Sequence, residues 1–189
     1  IIVLFLLGVS VVALVGWNIC VGTVRIPLAD IFASIRGEKI ENSRILWDIR
    51  MPRTLAAMIL GGALALAGYL LQTFFHNPIA GPFVLGISSG AKLFVAVVMI
   101  VFLRYSRTLS SVDLIVAAFA GSMLSMFCVL LMSPRVQNMS FLVLIGVMIG
   151  YICSAVTDFV VTFADDADIV NLHNWSLGSF SGINWDNVK

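Results

Sequence analysis

Five long apolar stretches limit what this chain can fold into. The first, Ile1–Val21, contains no charged residue, and four stretches of similar length follow it. A helix needs about 20 apolar residues to cross the hydrocarbon core of a bilayer. The sequence therefore predicts an all-α polytopic membrane fold, a single transmembrane domain with helices at about 1–21, 54–75, 83–103, 112–132 and 141–163, followed by a polar tail at 164–189.

Composition identifies lipid as the main solvent of the chain. Residues of the AVILMFWYC set make up 60% of the sequence, and charged residues make up 11%. Soluble domains carry about 25% charged residues, so these charges are too few to cover a water-exposed surface. No basic cluster alternates with aromatic residues, so no nucleic-acid partner is predicted.

The two ends suggest that this is a piece of a longer protein. The chain begins at isoleucine and stops at Lys189 in polar sequence, so we expect it to be truncated at both ends. Ile1–Val21 lacks a basic leader and a small-residue cleavage site, which favours a membrane span over a signal peptide.

A stripe of small residues marks the second apolar stretch. Gly61, Ala65 and Gly68 recur at helical spacing and lead to Gln72. Small residues let membrane helices approach closely, so this face is predicted to pack against another helix. An amide in hydrocarbon needs a hydrogen-bond partner or water. Gln72 is therefore predicted either to bond to a neighbouring helix or to line a translocation path.

The fifth stretch repeats the pattern with Gly146 and Gly150 and then carries Asp158. A carboxylate at membrane depth must be paired, protonated or hydrated. Asp158 is either a path or gate residue, or an acid near the helix end that reaches the headgroups.

Lys92 is an unexpected charge in the third stretch. If this stretch and the fifth begin near Phe83 and Phe141 on the same side, Lys92 lies roughly 12 Å shallower than Asp158, at about 1.5 Å per residue. That separation argues against a direct ion pair. Lys92 is instead expected to extend its stem towards water.

The turn between the second and third stretches reads HNPIAGP. Pro78 disfavours helical geometry at Asn77, so the second helix should end there. The sequence GISSGA follows, with Ser88 and Ser89, and predicts irregular backbone that is tolerated at membrane depth only where it is buried in protein or lines a cavity.

Two arginines, Arg50 and Arg53, stand directly before the second stretch. Arginines often anchor a helix at the headgroups. A guanidinium also pairs bidentately with carboxylates, so the pair could equally receive an acidic partner.

No P-loop, metal-ligand spacing or catalytic triad is recognisable, and the three cysteines lie singly in apolar runs. The sequence therefore predicts no catalytic residue, no metal site, no cofactor and no enzyme.

Several short motifs, taken in order, resemble the FecCD-type permeases of ABC importers, which carry iron–siderophores, haem and cobalamin. Most of the chain takes part in the resemblance. It is carried by RMPRTL at 50–55, GGA at 61–63 with Gly68 and Gln72, NPIAGP at 77–82, LGISSGA at 85–91 and WSLGSFSG at 175–182.

The resemblance implies that these five helices are about half of a ten-helix permease in the bacterial inner membrane. Such permeases form homodimers or paralogous heterodimers, with two cytoplasmic ATPase subunits that hydrolyse ATP and an extracytoplasmic binding protein. Arg50 and Arg53 would then lie outside and receive that binding protein, although charge counting alone would place residues 22–53 inside. Asn77 and Pro78 would lie near the inner gate, and the N-terminus would be cytoplasmic.

The function expected from the resemblance is import by alternating access, with iron–siderophore complexes leading as the most frequent substrate of the family. Lys92 departs from the small or apolar residue that the family pattern has after Gly90-Ala91. A different class of function stays open: a secondary transporter driven by an ion gradient, with Asp158 and Lys92 as coupling charges. A membrane scaffold assembled through the small-residue stripes is a third reading.

Overall fold

The computed structural model describes residues 1–38, 40, 42–104, 110–136 and 138–188. These residues form α-helices and turns, and no β-strand occurs among them, which confirms the all-α class. A π-helix at Ile45–Arg50 precedes α3, and a 3₁₀ turn at Ser133–Arg135 follows α5. The helices are α1 (Ile2–Cys20), α2 (Leu28–Ile35), α3 (Met51–Phe75), α4 (Ile87–Arg104), α5 (Ser111–Met132), α6 (Met139–Val161), α7 (Asp166–Leu177) and α8 (Trp185–Val188).

Among the described residues, four helical segments are long and apolar enough to cross a membrane, namely Ile2–Cys20, Ile45–Phe75, Ser111–Arg135 and Met139–Val161. Helix α4 is shorter in its apolar part, Ile87–Phe102. It begins four residues later than the sequence suggested, because the residues before it fold as successive turns. In these turns the Ala80 amide donates to the Asn77 carbonyl and the Val84 amide donates to the Gly81 carbonyl.

The polar segments contain more helix than the sequence analysis expected. Helix α7 lies in the segment described above as a polar tail, with Asp166 and Asp168 in its first turn. Acidic residues there are favourable because the amino end of a helix carries partial positive charge. Helix α2 likewise forms within the charged connection at 22–53. Neither helix contains a long apolar run, so the hydropathy pattern expected of a membrane span did not predict them.

The chain divides into two compact units. The first comprises residues 1–62 and 179–189, of which Lys189 lies outside the described residues. No residue of α1 is buried. The Thr54 hydroxyl donates to the Asn18 side-chain oxygen at 2.8 Å, and Thr54 itself is buried. This unit is therefore held together near the end of α1 and the start of α3.

The second unit comprises Ala63–Gly178 and centres on α4. Helix α4 packs antiparallel to α5 and parallel to α6, as the contacts described below show. One apolar core lies where these helices meet the turns before α4, and a second lies where α7 folds back on α4. The first contains Phe75, Ala80, Leu85, Val129, Leu142 and Val143. The second contains Val95, Ala96, Met99, Ala117 and Leu172.

Candidate functional site

A cleft in the first unit contains both predicted docking arginines. It encloses about 530 Å³ and is lined by the end of α1, the loop after it, the π-helix and the first turns of α3. Arg50, Arg53 and Phe180 are among its lining residues. We call it the arginine cleft.

Arg50 uses its guanidinium inside the fold. Its Nη1 donates to the Ile19 carbonyl and its Nη2 donates to the Val24 carbonyl. The last carbonyls of a helix lack partners within the helix and carry partial negative charge, so a cation is favourable at this place. A side chain on Gly22 would place its Cβ 2.7 Å from Arg50 Nη2, so Gly22 leaves room for the guanidinium. Arg50 thus ties the end of α1 to the start of α3.

The Arg53 guanidinium makes fewer hydrogen bonds than that of Arg50 in the described structure. Its Nη2 donates to the Ser181 carbonyl, while its Nε is a buried donor without a hydrogen-bond partner in the described part of the chain. Leaving a charged donor unsatisfied is unfavourable, so an acceptor that reached this N–H would be stabilised there. The Trp185 indole Nε1 donates to the Trp47 carbonyl at 2.8 Å and holds the C-terminal segment beside the same π-helix.

Neutralising Arg50 is expected to destabilise the protein. The Arg50→Gln variant removes the cation that two carbonyls share, at a cost of about 2 kcal/mol. Its melting temperature in detergent should fall by several degrees, and Gly22→Ala should act in the same direction by displacing the guanidinium. The exposed Arg44→Gln is the matched control. A melting temperature for Arg50→Gln equal to that of the control would contradict this role.

Two glycine contacts join the helices of the second unit. Gly86 lies against α6, where an added Cβ would be 2.7 Å from both the Gly146 carbonyl oxygen and the Gly150 nitrogen. Gly90 lies against α5, where an added Cβ would be 2.6 Å from the Gly121 carbonyl oxygen. Backbones this close leave no volume for a side chain, so the glycines set the distance between the helices.

A polar contact continues along α4 and α6. The Ser154 hydroxyl donates to the Ser89 hydroxyl at 3.3 Å, one turn beyond the contact of Gly86 with Gly150. Both helices therefore run in the same direction with a defined register. This register reduces the axial offset between Lys92 and Asp158 from roughly 12 Å in the sequence-based estimate to less than about 9 Å, at ~1.5 Å per residue. The two values differ because the estimate took Phe83 and Phe141 as equivalent starting points, whereas Gly86 lies between Gly146 and Gly150 of α6.

The other predicted path residues are not brought together. Gln72, Pro78, Ser88 and Asp158 are exposed. The polar side chains of Gln72, Ser88 and Asp158 have no hydrogen-bond partner among the described residues. Asn77 is half-buried, and its Oδ1 accepts the Ile79 amide at 2.9 Å, so its side chain shapes the turn after α3.

The small residues of α3 behave differently from those of α6. A Cβ added at Gly61 or Gly68 would meet nothing within 4 Å, and Ala65 is exposed. Gly146 and Gly150, in contrast, lie against Leu85 and Gly86, with an added Cβ 3.0 and 3.1 Å from their Cα atoms. Small residues at this spacing therefore pack against a neighbouring segment on α6, whereas on α3 they meet no neighbour in the described structure.

Sequence reasoning missed the contact between α4 and α5. Ala117, Gly121 and Ser125 recur every four residues on α5 and are buried. The Ser125 hydroxyl also lies 3.7 Å from the Cys153 sulfur. The same four-residue spacing of small residues was used above to predict contact faces on the second and fifth stretches. It could also have identified this face of α5. Among the described residues, no group of three His, Cys, Asp or Glu side chains is placed to hold a metal.

Comparison with known proteins identifies the family. The sequence model of the FecCD transport family matches residues 7–189. The chain belongs to the FecCD transport family. This FecCD chain is 36% identical over 183 residues to the vitamin B12 import system permease protein BtuC of Shigella boydii, covering 96% of this chain and 53% of that protein. It is 41% identical over 140 residues to BtuC of Pectobacterium atrosepticum, covering 74% of this chain and 41% of that protein.

A solved structure has the same fold. It is assigned to the metal-chelate type of ABC transporter, in an inward-facing conformation, and aligns with a TM-score of 0.77 at 24% sequence identity. The alignment covers 98% of this FecCD chain and 56% of the other chain. The chain spans about half the length of the curated relatives it matches.

Proposed function

We propose that this chain forms part of the membrane permease of a binding-protein-dependent ABC importer for organic metal chelates. The observation that carries the proposal is the family match over residues 7–189. The helices would form one side of a translocation path that opens alternately to either face of the bacterial inner membrane. The permease performs no covalent chemistry, and ATP hydrolysis belongs to two separate cytoplasmic subunits.

Cobalamin is the first substrate to test. Iron–siderophores were expected first because they are the most frequent substrates of the family, and that expectation stays a prediction. The BtuC relatives carry vitamin B12 in their names, which favours a corrinoid for this chain. Cobalamin and ferric siderophores are both large metal chelates, so one permease architecture suits either class.

We place the binding protein at the arginine cleft. Arg50 and Arg53 were both predicted to receive its acidic residues, and the hydrogen bonds favour Arg53 as the direct contact. Arg53 has an unused buried donor, whereas Arg50 is engaged by two backbone carbonyls. An incoming carboxylate would gain a charge-assisted hydrogen bond at Arg53. Arg50 would act by holding α1 and α3 at the cleft.

The path would be lined by residues on the exposed faces of α3, α4 and α6. Gln72, Ser88 and Asp158 are polar and exposed on these helices, which leaves them available to substrate or water. Ser89 pairs with Ser154 beside them, and Asn77 and Pro78 form the turn that we place near the inner gate. The second copy of the permease, or a paralogue, would supply the facing wall.

Reconstituted uptake tests the function. The full-length permease is placed in liposomes with its ATPase and binding protein, and labelled cobalamin or ferric siderophore is supplied outside. Uptake that requires ATP and all three components supports the importer. Uptake that persists without ATP but collapses with the proton gradient would favour the ion-driven alternative. A membrane scaffold would give no uptake of either ligand and no ATPase activity stimulated by the binding protein.

Reversing Arg53 is expected to weaken docking. The Arg53→Glu variant places a carboxylate against the acidic partner and should raise the dissociation constant for the binding protein more than about tenfold. Membrane insertion and melting temperature should change little, because Arg53 makes one hydrogen bond to backbone. Arg50→Gln should lower the melting temperature while its folded fraction still binds. Unchanged affinity in Arg53→Glu, and in the double reversal with Arg50→Glu, would remove the cleft as the docking site.

A further inference from the structure

Lys92 has no role in the proposed function, and Asp158 enters it only as one of several polar residues on the exposed helix faces. Lys92 lies in the sixth position of α4 and is half-buried, and Asp158 lies one turn before the end of α6. The remaining charged residues of α4, α5 and α6 lie closer to helix ends, at Arg104 and Asp113. A charge within a membrane helix is costly unless it is paired or hydrated.

The register of α4 on α6 brings these two charges within about 9 Å of each other along the helix axes. Gly86 lies between Gly146 and Gly150, and Ser89 contacts Ser154. Counting along the two parallel helices places Lys92 opposite the α6 residues at about 152–157. At ~1.5 Å rise per residue, Asp158 is offset from Lys92 by less than about 9 Å along the axes, within the combined reach of the two side chains.

The two charges also share a face. Lys92 follows Ser89 by three residues on α4, and Asp158 follows Ser154 by four on α6, so each lies one turn beyond the serine contact on its own helix. Glycine at Gly86 and Gly150 keeps the helix axes close at the preceding turn. Lys92 and Asp158 thus continue the polar strip that Ser89 and Ser154 begin.

Neither charge is satisfied elsewhere in the described structure. Neither side chain has an ion pair or hydrogen bond among the described residues. The nearest competing acids in sequence, Asp165, Asp166 and Asp168, lie at the start of α7. Lysine has four side-chain torsions, so rotation alone can bring its ammonium group to a carboxylate on the neighbouring helix.

We propose that Lys92 and Asp158 form an ion pair across α4 and α6 that holds these helices in register within the membrane. They are positioning residues, and the pair neutralises two charges that lie within long, mostly apolar helices. This inference does not depend on the substrate or on the importer assignment. It predicts proximity and energetic coupling, which are measured without transport.

Cysteine cross-linking measures the proximity in the full-length permease. Cys20, Cys128 and Cys153 are first replaced by alanine, and a protease site is inserted in the loop between α5 and α6. The variant with Lys92→Cys and Asp158→Cys is treated with a short bifunctional thiol reagent and then with the protease. Its two fragments should stay linked. Lys92→Cys with Leu144→Cys is the control, because Leu144 is exposed and lies four turns earlier on the same face of α6. Stronger cross-linking of the control pair would overturn the register and the proposal.

Thermal stability measures the coupling. Lys92→Met and Asp158→Asn should each lower the melting temperature by about 4 °C or more, because each leaves an unpaired charge. The double variant and the exchange of Lys92→Asp with Asp158→Lys should recover most of the loss. Asp168→Asn tests whether α7 supplies the partner instead. Additive losses in the double variant, or rescue of Lys92→Met by Asp168→Asn, would overturn the pairing.

Discussion

Replacing Gly90 with alanine is expected to lower the melting temperature of the full-length permease by about 6–12 °C. The new Cβ would lie 2.6 Å from the Gly121 carbonyl oxygen and 2.9 Å from the Ser125 Cβ. The carbonyl belongs to the backbone of α5 and cannot rotate away, so α4 and α5 must separate. Overpacking of this kind costs about 3 kcal/mol or more. Fluorescence-detected size-exclusion chromatography after heating in detergent measures the shift.

Gly68→Ala is the matched control for Gly90→Ala. Both glycines lie in helices, but a Cβ at Gly68 meets nothing within 4 Å. Alanine is the better helix former by about 1 kcal/mol, so Gly68→Ala should be neutral or slightly stabilising. Equal melting temperatures for the two variants would mean that the α4–α5 contact does not limit stability.

Gly86→Ala is expected to be at least as damaging, for two independent reasons. Gly86 has φ +73°, in the left-handed region that costs other residues about 1–2 kcal/mol. An added Cβ would also be 2.7 Å from the Gly146 carbonyl oxygen and the Gly150 nitrogen, which belong to the backbone of α6. The summed cost of about 4 kcal/mol or more should shift α4 away from α6. Melting temperature and ATP-driven uptake should both fall.

Gly178→Ala separates the two causes. Gly178 has φ +72° but no atom within 4 Å of an added Cβ, so its variant carries the backbone strain without the contact. We expect Gly178→Ala to lose only the strain energy, and the difference between the two variants measures the α4–α6 contact. If both variants lost the same stability, crowding against α6 would have no role.

The membrane helices were accessible from the sequence because lipid imposes one simple condition. A spanning helix must be long and apolar, and each of the stretches beginning at Ile1, Thr54, Val112 and Phe141 meets it without help from neighbours. The start of α4 was placed too early because residues 83–86 are compatible with helix in composition. Their turns depend on the positive φ of Gly86 and its fit against α6, which are tertiary facts.

The small-residue stripes show the limit of periodicity. Spacing predicts that Gly61 and Gly68, or Gly146 and Gly150, share a helix face, because that follows from 3.6 residues per turn. It does not say which helix covers the face. The structure places Gly146 and Gly150 against Leu85 and Gly86 and leaves the α3 glycines open. A stripe is a property of one helix, whereas a contact is a property of two.

The arginines and the membrane charges lead to the same distinction. The sequence by itself determined that Arg50 and Arg53 stand at a helix start and that Lys92 and Asp158 lie in apolar helices, because chain order and hydropathy suffice for that. Only the tertiary structure decided that Arg50 binds the Ile19 and Val24 carbonyls, and that Lys92 is offset from Asp158 by less than about 9 Å along the helices. Partner and register depend on how far one helix is shifted along another, and backbone contacts such as Gly86 with Gly150 set that shift.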